Sequence, residues 1–413
     1  MSRKDWISFL VVVIVVWVVG MWFLLKMDLF RHEYNKFVDR GVPRINIDLK
    51  DVSLDEIKEG SKDIKYQGNE LQVYDDYTIN SYRDVEIKGR GNSTWSQDKK
   101  PYRIEFSSKQ DLLGLGKARR WVLLANYYDH SFLRNHIALT LAEMLGTKYD
   151  NKGKFVELYF NGEYEGLYYL VQKIEIAKNS VNLKDEKGVL FELDTLHNYE
   201  EKCNVSYLKD CLVLKEIVFD EENNKVEAIN DFLDDFNRFE IAAKEGNYKV
   251  IDETIDIESF ISYFLINEFT VNPDAYNSSF YLYKNGDRDK IHFGPIWDFD
   301  YALGNREWIW RNSNDFLSPY GDFANINVRF SIVKDLVDIK EIKEGVVNVF
   351  QEKMAGRRTE LIKSIDEEMN RIKESIEKDD MKWNRKDSES SIKELRDWIE
   401  KRYSYFEKKY RRK

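Results

Sequence analysis

The stretch GPIWDFDYALGN, Gly294 to Asn305, sets two aspartates one residue apart among large apolar side chains. A carboxylate in such surroundings costs free energy unless a hydrogen bond, a cation or a metal compensates it. Asp298 and Asp300 therefore read either as a polar turn closing a hairpin or as ligands of a divalent cation. Upstream, NPDAYNSS (Asn272 to Ser279) puts Asp274 directly after an expected helix and before a small expected hairpin. N-P-D is also a turn signal and D-x-D also occurs in hairpin loops, so spacing alone leaves both readings open.

The chemical reading has a template. A helix, a loop carrying an aspartate, a hairpin and a second aspartate is the layout of protein-kinase-type phosphoryl transfer. There the first aspartate accepts the hydroxyl proton and the second holds Mg²⁺. Hard oxygen donors suit Mg²⁺ or Mn²⁺, and such sites combine one or two protein carboxylates with nucleotide phosphates. In the N-terminal half, GRGNSTWSQDKKPYRIEF could bring the backbone N–H groups of residues 89–92 to phosphates, with Lys99, Lys100 and Arg103 neutralising them. The same lysines could simply be solvated at the start of a strand. Walker A, G-x-G-x-x-G, G-x-S-x-G and H-E-x-x-H patterns are all missing, and the five histidines are isolated. His130 and His136 fall in a helix and its approach, where surface or packing roles are the default.

The elements that must position these residues can be read from hydrophobic period. INIDL, DVEIKG and YRIEF alternate as strands, with Tyr102, Ile104 and Phe106 on one face. WVLLAN and GVLFELD read as buried strands, and Asn161-Gly162 supplies a hairpin turn between two aromatic-rich strands. Ser131 is expected to open a helix that Gly146 stops. Helical stripes follow at Ile229 to Phe239 and, from Asp256, at Ile257 to Phe269, then a strand pair turning at Asn285-Gly286. In the charged helical tail, Ser391 and Glu394 suggest a capping box. The expected class is α+β, strand-rich then helical, in two lobes with a cleft between them.

Composition sets limits. The 413 residues include 25 Tyr, 24 Phe and 10 Trp, enough to fill a sizeable core, while only 5 Pro and 20 Gly argue against long disordered linkers. A net charge of −10 disfavours a nucleic-acid partner. Trp6 to Leu25 is an uncharged run bracketed by Arg3-Lys4 and Lys26. At about 1.5 Å per residue it spans a bilayer core of about 30 Å. Without a small-x-small cleavage site it reads as a retained transmembrane anchor over residues 1–27, followed by a connector over 28–44. Lys26, Arg31, Lys36, Arg40 and Arg44 follow the span, so charge counting does not settle its orientation. The five-residue head resembles an uncleaved signal anchor and favours an extracytoplasmic main domain. Cys203 and Cys211 could pair across a hairpin in an oxidising space or stay as thiols.

Four segments in order, RGNSTW...KKPYRIEF, WVLLANYYDHSFLRNHIA, VELYFNGEYEGLYYL and GPIWDFDYALGN, resemble the CotH kinase family, named for a spore coat protein. The resemblance runs from about Ile45 into the tail, where Trp383, Trp398 and Arg402 sit in the expected closing helices. It implies an atypical protein-kinase-like domain over 45–413, with an N-lobe over about 45–215 and a C-lobe over about 216–413. It also implies binding of ATP with Mg²⁺ or Mn²⁺, and phosphorylation of Ser or Thr on protein substrates such as coat or envelope proteins. By position, Asp274 matches the catalytic-loop aspartate, and Asp298 with Asp300 match the metal-binding W-D-x-D. Asn92, Lys100 and Arg103 fall in the N-lobe motif where nucleotide contacts are expected, with Lys173 a rival for the phosphate. Two departures stand out. Ser279 occupies a position where some members have Asn, leaving Asn277 or Ser279 as a second metal ligand. Gln172 replaces a frequent Glu, so a lysine partner would come from elsewhere, such as Glu143. A scaffold without catalysis and a nucleotidyltransferase using the same site are the competing readings.

Overall fold

The computed structural model describes residues 15–22, 41–75, 78–194, 205–207, 210–217, 222–276, 279–305, 318–320 and 332–412. Residues 15–22 are helical with exposed side chains; the rest of the expected anchor and most of the connector lie outside the described residues. Among the described residues no helix is long and apolar enough to cross a membrane.

Seven strands close into a barrel: β1 (Arg44–Asp48), β2 (Tyr66–Asp75), β3 (Thr78–Gly89), β4 (Tyr102–Asp111), β5 (Lys117–Leu124), β6 (Gly153–Phe160) and β7 (Glu163–Gln172). Their order is β1-β2-β3-β4-β5-β7-β6, and a parallel pairing of β1 with β6 completes the ring. Closure leaves no unpaired edge to template association. The period-2 pattern decides what faces inward: Tyr102, Ile104 and Phe106 are buried with Ile45, Val85 and Trp121, while Arg103 and Glu105 stand on the outer face. Asn161 and Gly162 take φ of 50° and 82°, the positive values that a two-residue turn needs to match strand twist.

Helix α1 (Leu54–Glu59) lies between β1 and β2, its N-terminus held by a Ser53–Glu56 capping box. Helix α2 (Arg134–Leu145) begins three residues after Ser131, with Leu133 at its N-cap, because Phe132 takes a left-handed φ of 63°. The buried Asp129 carboxylate accepts from Ser131 N at 3.0 Å, Ser131 Oγ at 2.5 Å and Arg134 N at 2.9 Å. Gly146, at φ 69°, ends the helix as expected.

A second sheet runs β12-β11-β8-β10-β9, from β8 (Gly188–Asp194), β9 (Val205–Tyr207), β10 (Asp210–Ile217), β11 (Phe280–Asn285) and β12 (His292–Phe293). It spans the expected lobe boundary near residue 215, since β8 pairs directly with β11. Cys203 lies outside the described residues; Cys211 is in β10.

The C-terminal part is helical: α3 (Glu222–Glu245), α4 (Tyr248–Thr254), α5 (Ile257–Thr270), α6 (Ile332–Asp338), α7 (Lys340–Lys353), α8 (Arg358–Trp383) and α9 (Ser388–Lys409). Asp256 caps α5 by accepting from Ser259 N at 2.7 Å. From Phe260 to Thr270 every α5 side chain is buried, as befits a helix apolar on nearly all sides. The expected Ser391 cap falls inside α9, whose N-cap is Asp387.

One buried ion pair ties barrel to helices. Lys99 Nζ donates to Asp379 Oδ2 of α8 at 2.5 Å and to Leu167 O at 2.7 Å, with both side chains 0% exposed. Asp379 Oδ2 also accepts from Leu167 N at 2.7 Å. Gly166, at φ +150°, makes room for this: a Cβ there would lie 2.7 Å from Asp379 Oδ2 and 2.8 Å from Lys99 Cε.

Candidate active site

The site is assembled where α5 ends. Val271 adopts a left-handed conformation (φ 50°), and the buried Arg402 of α9 donates to the closing carbonyls, Phe269 O at 3.1 Å and Glu268 O. Those carbonyls have no intrahelical partner, so the arginine fixes the end from which the next loop departs. Asn272 follows, 2% exposed, and grips two loops at once. Its Oδ1 accepts from Asp274 N at 3.2 Å, and its Nδ2 donates to Asp298 O at 3.0 Å. The Asp274 and Asp298 segments therefore share one anchor.

Asp298 holds φ at 68°, a conformation that costs a non-glycine residue energy and persists only where neighbours enforce it. Enforcement comes from several sides. Asn135 of α2 accepts from Phe299 N at 3.1 Å and donates through Nδ2 to Asp300 Oδ1. Arg134 Nε binds Ala302 O at 2.9 Å, and Leu303 N binds Thr270 O at 2.6 Å. Asn305 Nδ2 reaches both Asp300 O at 2.6 Å and Tyr128 O at 2.8 Å. The aspartate loop, residues 297–305, is thus pinned to α2 and α5.

The two carboxylates are half-buried. Burial raises the pKa of Asp298, opposed by the Arg90 charge and by the Ser279 hydroxyl, whose Oγ lies 3.5 Å from Oδ2. Asp300 is pushed up to about 8 by burial and then by the charges of Asp298 and Asp129, with Asn135 and Arg90 opposing. Two buried acids, one raised further by the charge of the other, are a pair that a cation would relieve. Arg90, at the end of β3, interacts electrostatically with Asp298, Asp300 and Glu192, and its guanidinium lies 5.5 Å from the Trp297 ring centroid. Glu192 stands opposite Tyr281 across the β8–β11 pairing and lifts its phenol above the ordinary range, after burial. Asp274 is half-buried, and its charge acts together with that of Asp300 on the Tyr301 phenol.

The structure therefore brings Asp274, Ser279, Asp298 and Asp300 into one locality. Asn277 lies outside the described residues. The other expected residues point elsewhere. Asn92 is exposed and accepts from Lys62 Nζ at 2.7 Å. Lys100 Nζ turns back to Trp95 O at 2.6 Å and lies over that ring. Arg103, on the outer barrel face, faces Glu86 at 3.8 Å and Glu105 at 3.7 Å. Lys173 Nζ is 4.0 Å from Glu175. Gln172 donates to Leu115 O and Gly116 O, and Glu143 is exposed on α2. Sequence reasoning missed the cation that acts electrostatically on the acids, Arg90, and the two amides that hold their loop, Asn135 and Asn272. All three lie in the segments singled out above, Arg90 beside two glycines and Asn272 next to Pro273.

The site lies within a stretch, residues 87–406, that matches the family model described as CotH kinase protein. That match covers more than half of the chain, and the protein belongs to the CotH kinase family. A comparison with curated proteins found no match.

Proposed function

We propose that this protein transfers the terminal phosphoryl group of ATP to serine or threonine hydroxyls of protein substrates, using Mg²⁺ or Mn²⁺ held by Asp298 and Asp300. The observation that carries the reading is the double grip of Asn272, which fixes the Asp274 loop and the Asp298 loop relative to each other. Among the described residues no group of three or more His, Cys, Asp or Glu could cage a metal. Two hard carboxylates whose pKa values are raised by burial, Asp300 also by the charge of Asp298, fit a cation shared with phosphate oxygens.

A divalent cation bound there would neutralise charge on the transferring phosphoryl group. Arg90 supplies fixed positive charge on the same side, compensating phosphate oxygens in a half-buried setting where its effect is strong. Asp274 accepts the proton of the acceptor hydroxyl. Asn135 and Asn272 keep the acids in register, so the cost of orienting them is met by the fold rather than at the moment of reaction.

The test uses the full-length protein with labelled ATP, Mn²⁺ or Mg²⁺ and a casein-like acceptor. Phosphate on the acceptor supports the reading, and a mass shift of AMP would replace it with nucleotidyl transfer. No transfer, together with ATP binding unaffected by Asp298→Ala, would favour a scaffold. Coat or envelope proteins are the proposed acceptors. The uncharged run at residues 6–25 supports attachment to a membrane, which carbonate extraction of cell membranes would check. Labelling of Cys203 by an impermeant thiol reagent, with and without reductant, would test the proposed extracytoplasmic placement.

A further inference from the structure

The loop between β3 and β4 carries Arg90 at its base and is secured by its own Trp95 and by Lys62, which precedes β2. Trp95 lies against Gly89, where a Cβ would come within 2.5 Å of the indole. Lys62 Nζ holds Gly91 O at 3.0 Å and Asn92 Oδ1 at 2.7 Å. None of these contacts reaches the aspartate loop. Tyr128 does. Its hydroxyl accepts from Gln97 Nε2 at 2.8 Å and donates to Ser93 O at 3.3 Å, so it binds the β3–β4 loop at two points. Its ring packs on Tyr301 with centroids 5.0 Å apart, and its carbonyl accepts from Asn305 Nδ2 at 2.8 Å, so the other end binds the aspartate loop.

We infer that Tyr128 is a positioning residue that straps the β3–β4 loop to the aspartate loop, setting how closely Arg90 approaches the nucleotide phosphates. The inference rests on the phosphoryl-transfer reading for its consequence, but the strap itself is a contact between two loops. The hydroxyl makes no contact with Asp298 or Asp300 in the structure, and the ring is half-buried at the rim, so removing the hydroxyl alone leaves the carboxylates and their amides in place. Each contact to the β3–β4 loop is a hydrogen bond involving neutral groups. Losing them should weaken nucleotide binding about two- to tenfold.

The experiment compares full-length wild type with Tyr128→Phe, Gln97→Ala and the double variant. Binding of a fluorescent ATP analogue in the presence of Mn²⁺ is read beside trypsin cleavage after Arg90. We expect Tyr128→Phe to weaken binding, to raise the KM for ATP with kcat kept, and to speed cleavage. The double variant should fall short of the sum of the two single losses, because both changes remove the Gln97–Tyr128 bond. Unchanged binding and unchanged cleavage in Tyr128→Phe would overturn the inference, as would strictly additive losses. If the wild type binds no nucleotide, the phosphoryl-transfer reading fails instead. Cleavage then decides the strap by itself: faster in Tyr128→Phe supports it, and unchanged overturns it.

Discussion

Asn135 and Asp300 stand 165 residues apart in sequence and share a hydrogen bond, the amide donating to the carboxylate. The other end of that amide accepts from Phe299 N, so a single side chain of α2 sets both the backbone and the acid of the aspartate loop. Partners of this kind are worth about 10–100-fold in metal affinity or activity. Asn135→Ala should lower Mn²⁺-supported turnover within that range, and Asn135→Asp should lower it further by adding a third carboxylate. A Mn²⁺ titration of both variants checks this; wild-type behaviour of Asn135→Asp would refute the role.

Arg90 is the cation closest in effect to Asp298. Arg90→Ala should cost roughly 10²–10³ in kcat/KM for ATP, the usual scale for a preorganised electrostatic contact. Arg90→Lys should recover only part, since an ammonium does not reproduce a planar fork. By contrast Lys100→Ala and Arg103→Ala should stay near wild type, because their side chains are engaged with Trp95 O and with Glu86 and Glu105. Steady-state kinetics on the four variants separates the two groups.

The pH response has a defined sign. Asp300 titrates near 3.8 when unperturbed and is pushed up to about 8 in the fold, first by burial. Between those values the folded state holds a proton that the unfolded chain has lost, so this group's contribution to stability falls as pH rises. In EDTA, thermal unfolding should therefore show more stability at pH 5.5 than at pH 8, and Asp300→Asn should flatten the difference. Millimolar Mn²⁺ should restore wild-type Tm at pH 8, where both acids can ionise around it. A variant slope equal to the wild-type slope would rule Asp300 out as the source.

Lys99 and Asp379 make a buried pair whose members are not equivalent to remove. Lys99→Met leaves a carboxylate of 0% exposure with only the Leu167 N–H and Arg385, 3.9 Å away, and should cost about 3–5 kcal/mol in urea unfolding. The double change with Asp379→Asn should recover part of that loss. Gly166→Ala should be destabilising in its own right, because its methyl would meet the same carboxylate.

Much of this was legible from local pattern. The strand alternation at Tyr102, Ile104 and Phe106, the Asn161-Gly162 turn and the Asp256 cap are short-range effects, and each stands where the sequence puts it. The grouping of Asp274 with Asp298 was legible for the same reason, as little chain separates them. The phosphate cations were chosen by charge, and charge is silent about direction. The alternation that buried Tyr102 and Ile104 already placed Arg103 on the outer face. Arg90 and Asn135 matter through contacts to a loop more than 150 positions away, which follow from barrel closure and helix docking rather than from any local signal. The helix does not start at Ser131 because Phe132 takes a left-handed φ of 63°, while the Asp129 carboxylate accepts from Ser131 N and Arg134 N.

The separation of Lys99 from Asp379 also governs how the protein is made. The two residues are 280 positions apart, and ribosomes add about 5–20 residues per second. A nascent chain would thus carry Lys99 for roughly 14–56 s before its carboxylate has been synthesised. Until α8 emerges and docks, closing the barrel would bury an ammonium without its counter-ion. Folding of the first half is therefore tied to completion of the second.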